Sequence, residues 1–108
     1  ELNYPPFGKL AVLRVIAKSK DLGENTIELL ADRAESLITK SPQYKNIQIL
    51  GPTEAPLAKL RGKYRFHILL KSTLPSYLSQ FTRQLIGGEP WLPAGTKVQV
   101  DIDPLNLL

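Results

Sequence analysis

The sequence predicts an α+β sandwich, one four-stranded antiparallel sheet with two helices on one face. Three observations predict it. Four segments have strand character, two segments with three-and-four apolar spacing fall between them, and the order is strand, helix, strand, strand, helix, strand. That order is the ferredoxin-like βαββαβ arrangement. At 108 residues the chain is one domain over 1–108, able to bury one core and too short to add a catalytic lobe.

The elements follow from local pattern. KLAVLRVIAKSK (9–20) is rich in branched aliphatics and reads as a strand that is apolar on both faces. In 21–40, Ile27, Leu30, Ala31, Ala34, Leu37 and Ile38 lie on one helical face, and Asp21 with Glu24 has the spacing of a capping box. IQILGP (47–52) reads as a short strand ended by Gly51-Pro52, after which TEAPLAKLRG leads into a third strand, KYRFHILLKS. Ser72 or Thr73 is placed to cap a second helix through about Ile86, with Leu74, Leu78, Phe81 and Leu85 on one side. GGEPWLPAG is an irregular connection, and TKVQVDID (96–103) alternates as the last strand. The chain contains no solenoid-type repeat or low-complexity segment.

Period-two alternation then assigns the faces. Tyr64, Phe66, Ile68 and Leu70 point under the helices with Val98, Val100 and Ile102. Arg61, Lys63, Arg65, His67 and Lys71 point to the open face with Lys97, Gln99, Asp101 and Asp103, as does Arg14 among Leu10, Val12 and Ile16. The apolar outer side of the first strand and the leucine-rich tail 105–108 are expected to meet other domains.

The formal charge of +4 is not spread evenly. Residues 1–54 are neutral, and no acid occurs between Glu54 and Glu89, a span that carries Lys59, Arg61, Lys63, Arg65, Lys71 and Arg83. Like charges on neighbouring positions of a sheet repel unless something neutralises them, so the basic face calls for a polyanion or for acids of a neighbouring domain. The candidate residues for contacting such a polyanion are Lys59, Arg61, Lys63, Arg65, His67 and Lys71, with Arg14, Arg83 and Trp91 as further contacts. A solvated basic face is the plain alternative.

Other chemistry is poorly supported. With no cysteine and one histidine, the chain offers no disulfide and no thiolate zinc site. Gly87-Gly88 lacks the lysine of a phosphate loop, and His67 has no nucleophile beside it in sequence, so no catalytic residue is assigned. No apolar run approaches the ~20 residues that span a bilayer, and no membrane partner is expected. The absence of methionine gives the reading of a domain cut from a larger protein. Trp91, between Pro90 and Pro93, reads first as a loop anchor and second as a stacking platform for a base. Tyr4-Pro5-Pro6-Phe7 reads as the entry of the chain rather than a polyproline ligand. Asp101 and Asp103 read as counter-charges for Arg14 or Lys97. Arg61-Gly62 superficially matches an RNA-recognition signature, but that signature needs aromatics on the open face, where this strand carries Lys63 and Arg65.

Three blocks carry a family resemblance: NYPPFGKLAVLRV (3–15), ILGPTEAPLAKLRGKYRFHILLK (49–71) and VDIDPLNLL (100–108). Together they resemble the C-terminal domain of the PriA family of primosomal replication-restart DNA helicases, also called primosomal protein N′, over essentially the whole chain. The resemblance implies a DNA-binding accessory domain that contacts forked or single-stranded DNA and packs on helicase lobes. It implies a parent that is an ATP-dependent 3′–5′ helicase working with single-stranded-DNA-binding protein in a bacterial cytoplasm or an organelle of bacterial descent. ATP, magnesium and zinc are implied for the parent, whose helicase lobes and zinc-binding region lie outside this fragment, and no cofactor and no enzymatic activity for the fragment itself. Two alternatives stay open: a structural domain docking helicase lobes or single-stranded-DNA-binding protein, and an RNA-binding ferredoxin-like module.

Overall fold

The structure is a computed structural model, and it describes residues 9–88 and 90–102. The Tyr4–Phe7 segment, Asp103 and the tail 104–108 lie outside the described residues. Strands β1 (Lys9–Ala17), β2 (Gln48–Leu60), β3 (Lys63–Ser72) and β4 (Thr96–Ile102) form one sheet in the order β2-β3-β1-β4, every neighbouring pair antiparallel. Helices α1 (Lys20–Lys40) and α2 (Pro75–Ile86) cover one face, with a 3-10 turn at Pro42–Tyr44. This is the expected ferredoxin-like α+β fold.

The core lies between sheet and helices. Ala11, Leu13 and Val15 of β1 and Phe66, Ile68 and Leu70 of β3 meet Ile27, Leu30 and Ala34 of α1 and Leu78, Phe81 and Leu85 of α2. Tyr44 joins them, its ring edge-on to Phe81 at 5.0 Å and its hydroxyl donating to Gln84 Oε1 at 2.6 Å. A buried phenol needs such a partner. Gly23 lets α1 approach the sheet closely, because a Cβ there would fall 2.5 Å from Phe66 Cε2.

Several local expectations change. Ser19, not the Asp21/Glu24 pair, caps α1, its hydroxyl accepting from the Leu22 amide at 3.2 Å. Neither Ser72 nor Thr73 caps α2: Pro75 opens the helix at a position that needs no amide donor, and Leu74 stays outside it, exposed. The second strand does not stop at Gly51-Pro52. It runs on to Leu60, with register shifts between Leu50 and Thr53 and between Glu54 and Lys59. Bulges of this kind accommodate a glycine and a proline inside a strand. In β4, Val98 packs on the core, but Val100 and Ile102 are 41% and 37% exposed, because the helix layer does not reach the end of this edge strand.

Candidate nucleic-acid interface

The β2–β3 hairpin decides where the basic residues go. Leu60 pairs with Lys63 and Lys59 with Tyr64, so Arg61 and Gly62 are the two central residues of the turn, with φ of 55° and 79°. Two positive φ values in a two-residue loop are the type I′ geometry that suits twisted hairpins. The chain reverses at Arg61, so Lys59, Arg61, Lys63 and Arg65 do not form one row. Lys59 faces the helix side, its Nζ 5.2 Å from the centroid of the Tyr64 ring. Arg61 is at the hairpin tip, and only Lys63 and Arg65 keep the strand spacing of about 6.6–7 Å on the open face.

What the hairpin removes, the sheet replaces. Ile16 of β1 lies directly opposite Arg65 on one side and Lys97 on the other, which sets those two Cα atoms about 10 Å apart across two strand spacings. Lys18 leaves the end of β1 at the same edge. Lys18, Arg61, Lys63, Arg65 and Lys97 thereby line one open cleft of about 600 Å³, floored by Ile16 and by Leu60, itself 45% exposed. Among the described residues no acid lines this cleft. The sequence reading missed Lys18 and left Lys97 out of the site. The available signal was topological: in this sheet order the end of β1 and the starts of β3 and β4 share one edge, with Ala17 opposite both Tyr64 and Thr96.

The other candidates are placed elsewhere. The next row inward is Gln99, Arg14, His67 and Thr53, and here the open face is not open: Arg14 is 5% exposed and His67 8%. His67 is therefore not the surface histidine the alternation suggested. It lies in the middle of the sheet, opposite Arg14, and is buried there. Burial, then the charges of Arg14 and Arg65, hold its imidazole below the usual histidine range, which favours the neutral form. Arg14 Nη1 donates to Asp101 Oδ2 at 3.4 Å, the counter-charge expected for it, while Arg14 Nε and His67 Nδ1 are buried without a hydrogen-bond partner. Val12, one row further, is also fully buried, which corrects the expectation that it faces another domain; Leu10 and Ile16 are half-buried.

Lys71 lies six residues along β3 from Arg65, about 20 Å away and outside the cleft. Arg83 is on α2, across the sheet from the cleft. Trp91 is an anchor: its indole N–H donates to the Ile86 carbonyl at 3.1 Å, and Arg33 lies over its ring at 4.4 Å while donating to the Leu85 carbonyl. A ring held this way has one face already taken by a guanidinium and is not a free platform for a base. The described helices include none long and apolar enough to cross a membrane.

Together these features define a ferredoxin-like α+β domain whose sheet face ends in a cleft lined by basic side chains. The chain belongs to the family of the Primosomal protein N C-terminal domain, which matches residues 1–105. It is similar to the replication restart protein PriA of Synechocystis sp. (32% identity over 106 residues, 98% of this chain and 12% of the relative). The same protein of Haemophilus influenzae is 30% identical over 106 residues (98% and 14%), and that of Rickettsia typhi 36% over 108 (94% and 14%). The chain thus spans 12–14% of the length of these relatives. Among solved structures, the de novo designed protein Foldit4 has a TM-score of 0.62 at 8% identity, covering 92% of this chain and 99% of its own, a likeness of fold alone.

Proposed function

We propose that this domain holds the sugar-phosphate backbone of DNA in the cationic cleft, as an accessory element of a replication-restart protein. The observation that carries the reading is the convergence of Lys18 after β1, Arg61 in the hairpin turn, Lys63 and Arg65 of β3 and Lys97 of β4, with no acid among the described lining residues. Like charges gathered at one edge of a sheet repel one another and are stabilised by a polyanion, and phosphate contacts need no base identity. The apolar floor of Ile16 and Leu60 suits sugars and bases of an unpaired strand lying between the charged walls. Tyr64 packs against the core and Phe66 is buried in it, so the sheet offers neither as a platform for stacking bases, which disfavours the single-stranded RNA reading. On this proposal ATP hydrolysis, with its magnesium, and any zinc site belong to the rest of the parent chain.

The test is fluorescence anisotropy of the 108-residue chain with forked, duplex and single-stranded DNA at two salt concentrations. Binding that weakens steeply with salt and ignores base sequence supports the proposal; absence of binding to all three DNAs at low salt refutes it. A structural role, docking the parent's helicase lobes or single-stranded-DNA-binding protein, is favoured by a different observation, the exposed Val100 and Ile102 on the opposite side of β4. The two roles use opposite faces and are compatible.

A further inference from the structure

The chain has a single histidine, and the cleft does not use it. His67 lies directly behind the cleft, two residues along the same face of β3 from Arg65, or about 6.6–7 Å. Its cross-strand neighbour on β1 is Arg14, and both side chains are buried. The Nδ1 of His67 and the Nε of Arg14 have no hydrogen-bond partner, so a proton placed on the ring adds a third positive charge beside two guanidinium groups. Little else offsets it. On β2 the opposite residue is the uncharged Thr53, while Glu54 turns to the helix side with Phe66 and pairs with Lys20. On β4, Gln99 lies beyond Arg14, and Asp101 accepts a hydrogen bond from Arg14. Lys71, further along β3, is about 13 Å from His67. Among the described residues, the charged groups around His67 are thus Arg14 and Arg65, with Asp101 as the one acid; burial, then the two arginines, favours the neutral ring.

We propose that His67 couples the cleft to pH: the domain takes up a proton from solvent at His67 as DNA enters the cleft, and it binds DNA more tightly as pH falls. The inference rests on the DNA reading of the cleft and adds regulation to it. A phosphate held by Arg65 brings a negative charge to about 10 Å from the ring and offsets one of the cations that oppose its proton. Because His67 is already buried, the strand takes little further water from it, so attraction outweighs desolvation. Linkage makes the effect reciprocal: whatever eases protonation on binding strengthens binding on protonation by the same factor. At about 10 Å and an effective dielectric near 20, a pair of unit charges changes an equilibrium constant about 15-fold, which screening over a Debye length of about 8–10 Å reduces to about two- to threefold. The free ring takes its proton below the ordinary histidine value of 6.5, and the ring beside bound DNA takes it at a higher pH than the free one. Affinity is therefore flat well above both values, climbs between them as pH falls, and is flat again below both.

As the only histidine, His67 gives the only imidazole Cε1–H resonance, so nuclear magnetic resonance follows its proton directly. The 108-residue chain is titrated from pH 8 to 5, free and saturated with a short oligothymidylate whose bases do not titrate in that range, with the fold checked by circular dichroism at each pH. The midpoint is expected at higher pH in the complex. The triple variant Lys63→Gln, Arg65→Gln, Lys97→Gln should abolish that displacement. Anisotropy at fixed salt should show affinity rising about two- to threefold from pH 7.5 to 5.5, and His67→Gln should remove the rise while keeping wild-type affinity at pH 7.5. A midpoint that stays in place when the oligonucleotide binds overturns the coupling and leaves the cleft reading intact, as does a pH dependence that persists in His67→Gln. Failure to bind the oligonucleotide at every pH removes the cleft reading and this inference with it.

Discussion

The charge geometry can be tested by removing the same amount of charge from two places. The triple variant Lys63→Gln, Arg65→Gln, Lys97→Gln removes three of the cations that line the cleft, whereas Lys40→Gln, Lys45→Gln, Arg83→Gln removes three exposed cations outside it. Both lose three positive charges and keep polar side chains. If each cleft residue neutralises one phosphate, the plot of log K against log salt flattens by about 0.7 per contact on a single strand, or about 2 units in all. Raising salt fourfold, from about 50 to about 200 mM, would then cost the wild-type chain about 16-fold more affinity than it costs the cleft variant. On duplex, at about 0.9 per contact, the flattening approaches 3 units. The outer triple should change the slope by well under one unit, since exposed charges more than a Debye length of about 8–10 Å from the bound strand are screened. Anisotropy titrations at four salt concentrations measure both slopes. Equal flattening by the two triples would mean that net charge, not the cleft, drives binding, and the proposed site would fall.

Three further outcomes follow from particular contacts. Gly23→Ala adds a methyl 2.5 Å from the buried Phe66 ring; overpacking costs about 1–3 kcal/mol and exceeds the ~1 kcal/mol gained in helix propensity, so Tm should fall by several degrees, and a rise would show that the ring yields freely. His67, held neutral by burial and by Arg14 and Arg65, binds its proton less readily folded than unfolded; the stability this confers is complete above the unfolded value near 6.5 and is lost as pH falls below it, so thermal melts should weaken from pH 7 to 5 and His67→Gln should remove that part of the slope. Arg61→Asn places a residue at φ 55° that tolerates the left-handed region better and should stabilise the hairpin by a few tenths to about 1 kcal/mol in chemical denaturation, while flattening the salt slope by about 0.7 on single-stranded DNA, one contact's worth.

The sequence by itself determined the element order, the two helix faces and the inward set Phe66, Ile68 and Leu70, because these depend on periodicities of 3.6 and 2 that a short window of residues displays. It also determined that positive charge is concentrated in the second half of the chain. Tertiary structure decided which of those charges meet. Alternation holds along one strand and fails at a reversal, so the turn at Arg61-Gly62 sent Lys59 to the helix side and broke the apparent row, while the bulges in β2 hid a 13-residue strand behind a Gly-Pro pair. Lys18 and Lys97 joined Lys63 and Arg65 only because antiparallel pairing brings the end of β1 beside the starts of β3 and β4. Burial on the nominally open face was likewise not local: Arg14 and His67 are polar residues at outward phases, yet both are buried opposite one another on the middle two strands. Side-chain direction is written in the chain a few residues at a time, whereas neighbourhood across a sheet is set by register between segments about fifty to ninety residues apart, and no window of sequence contains it.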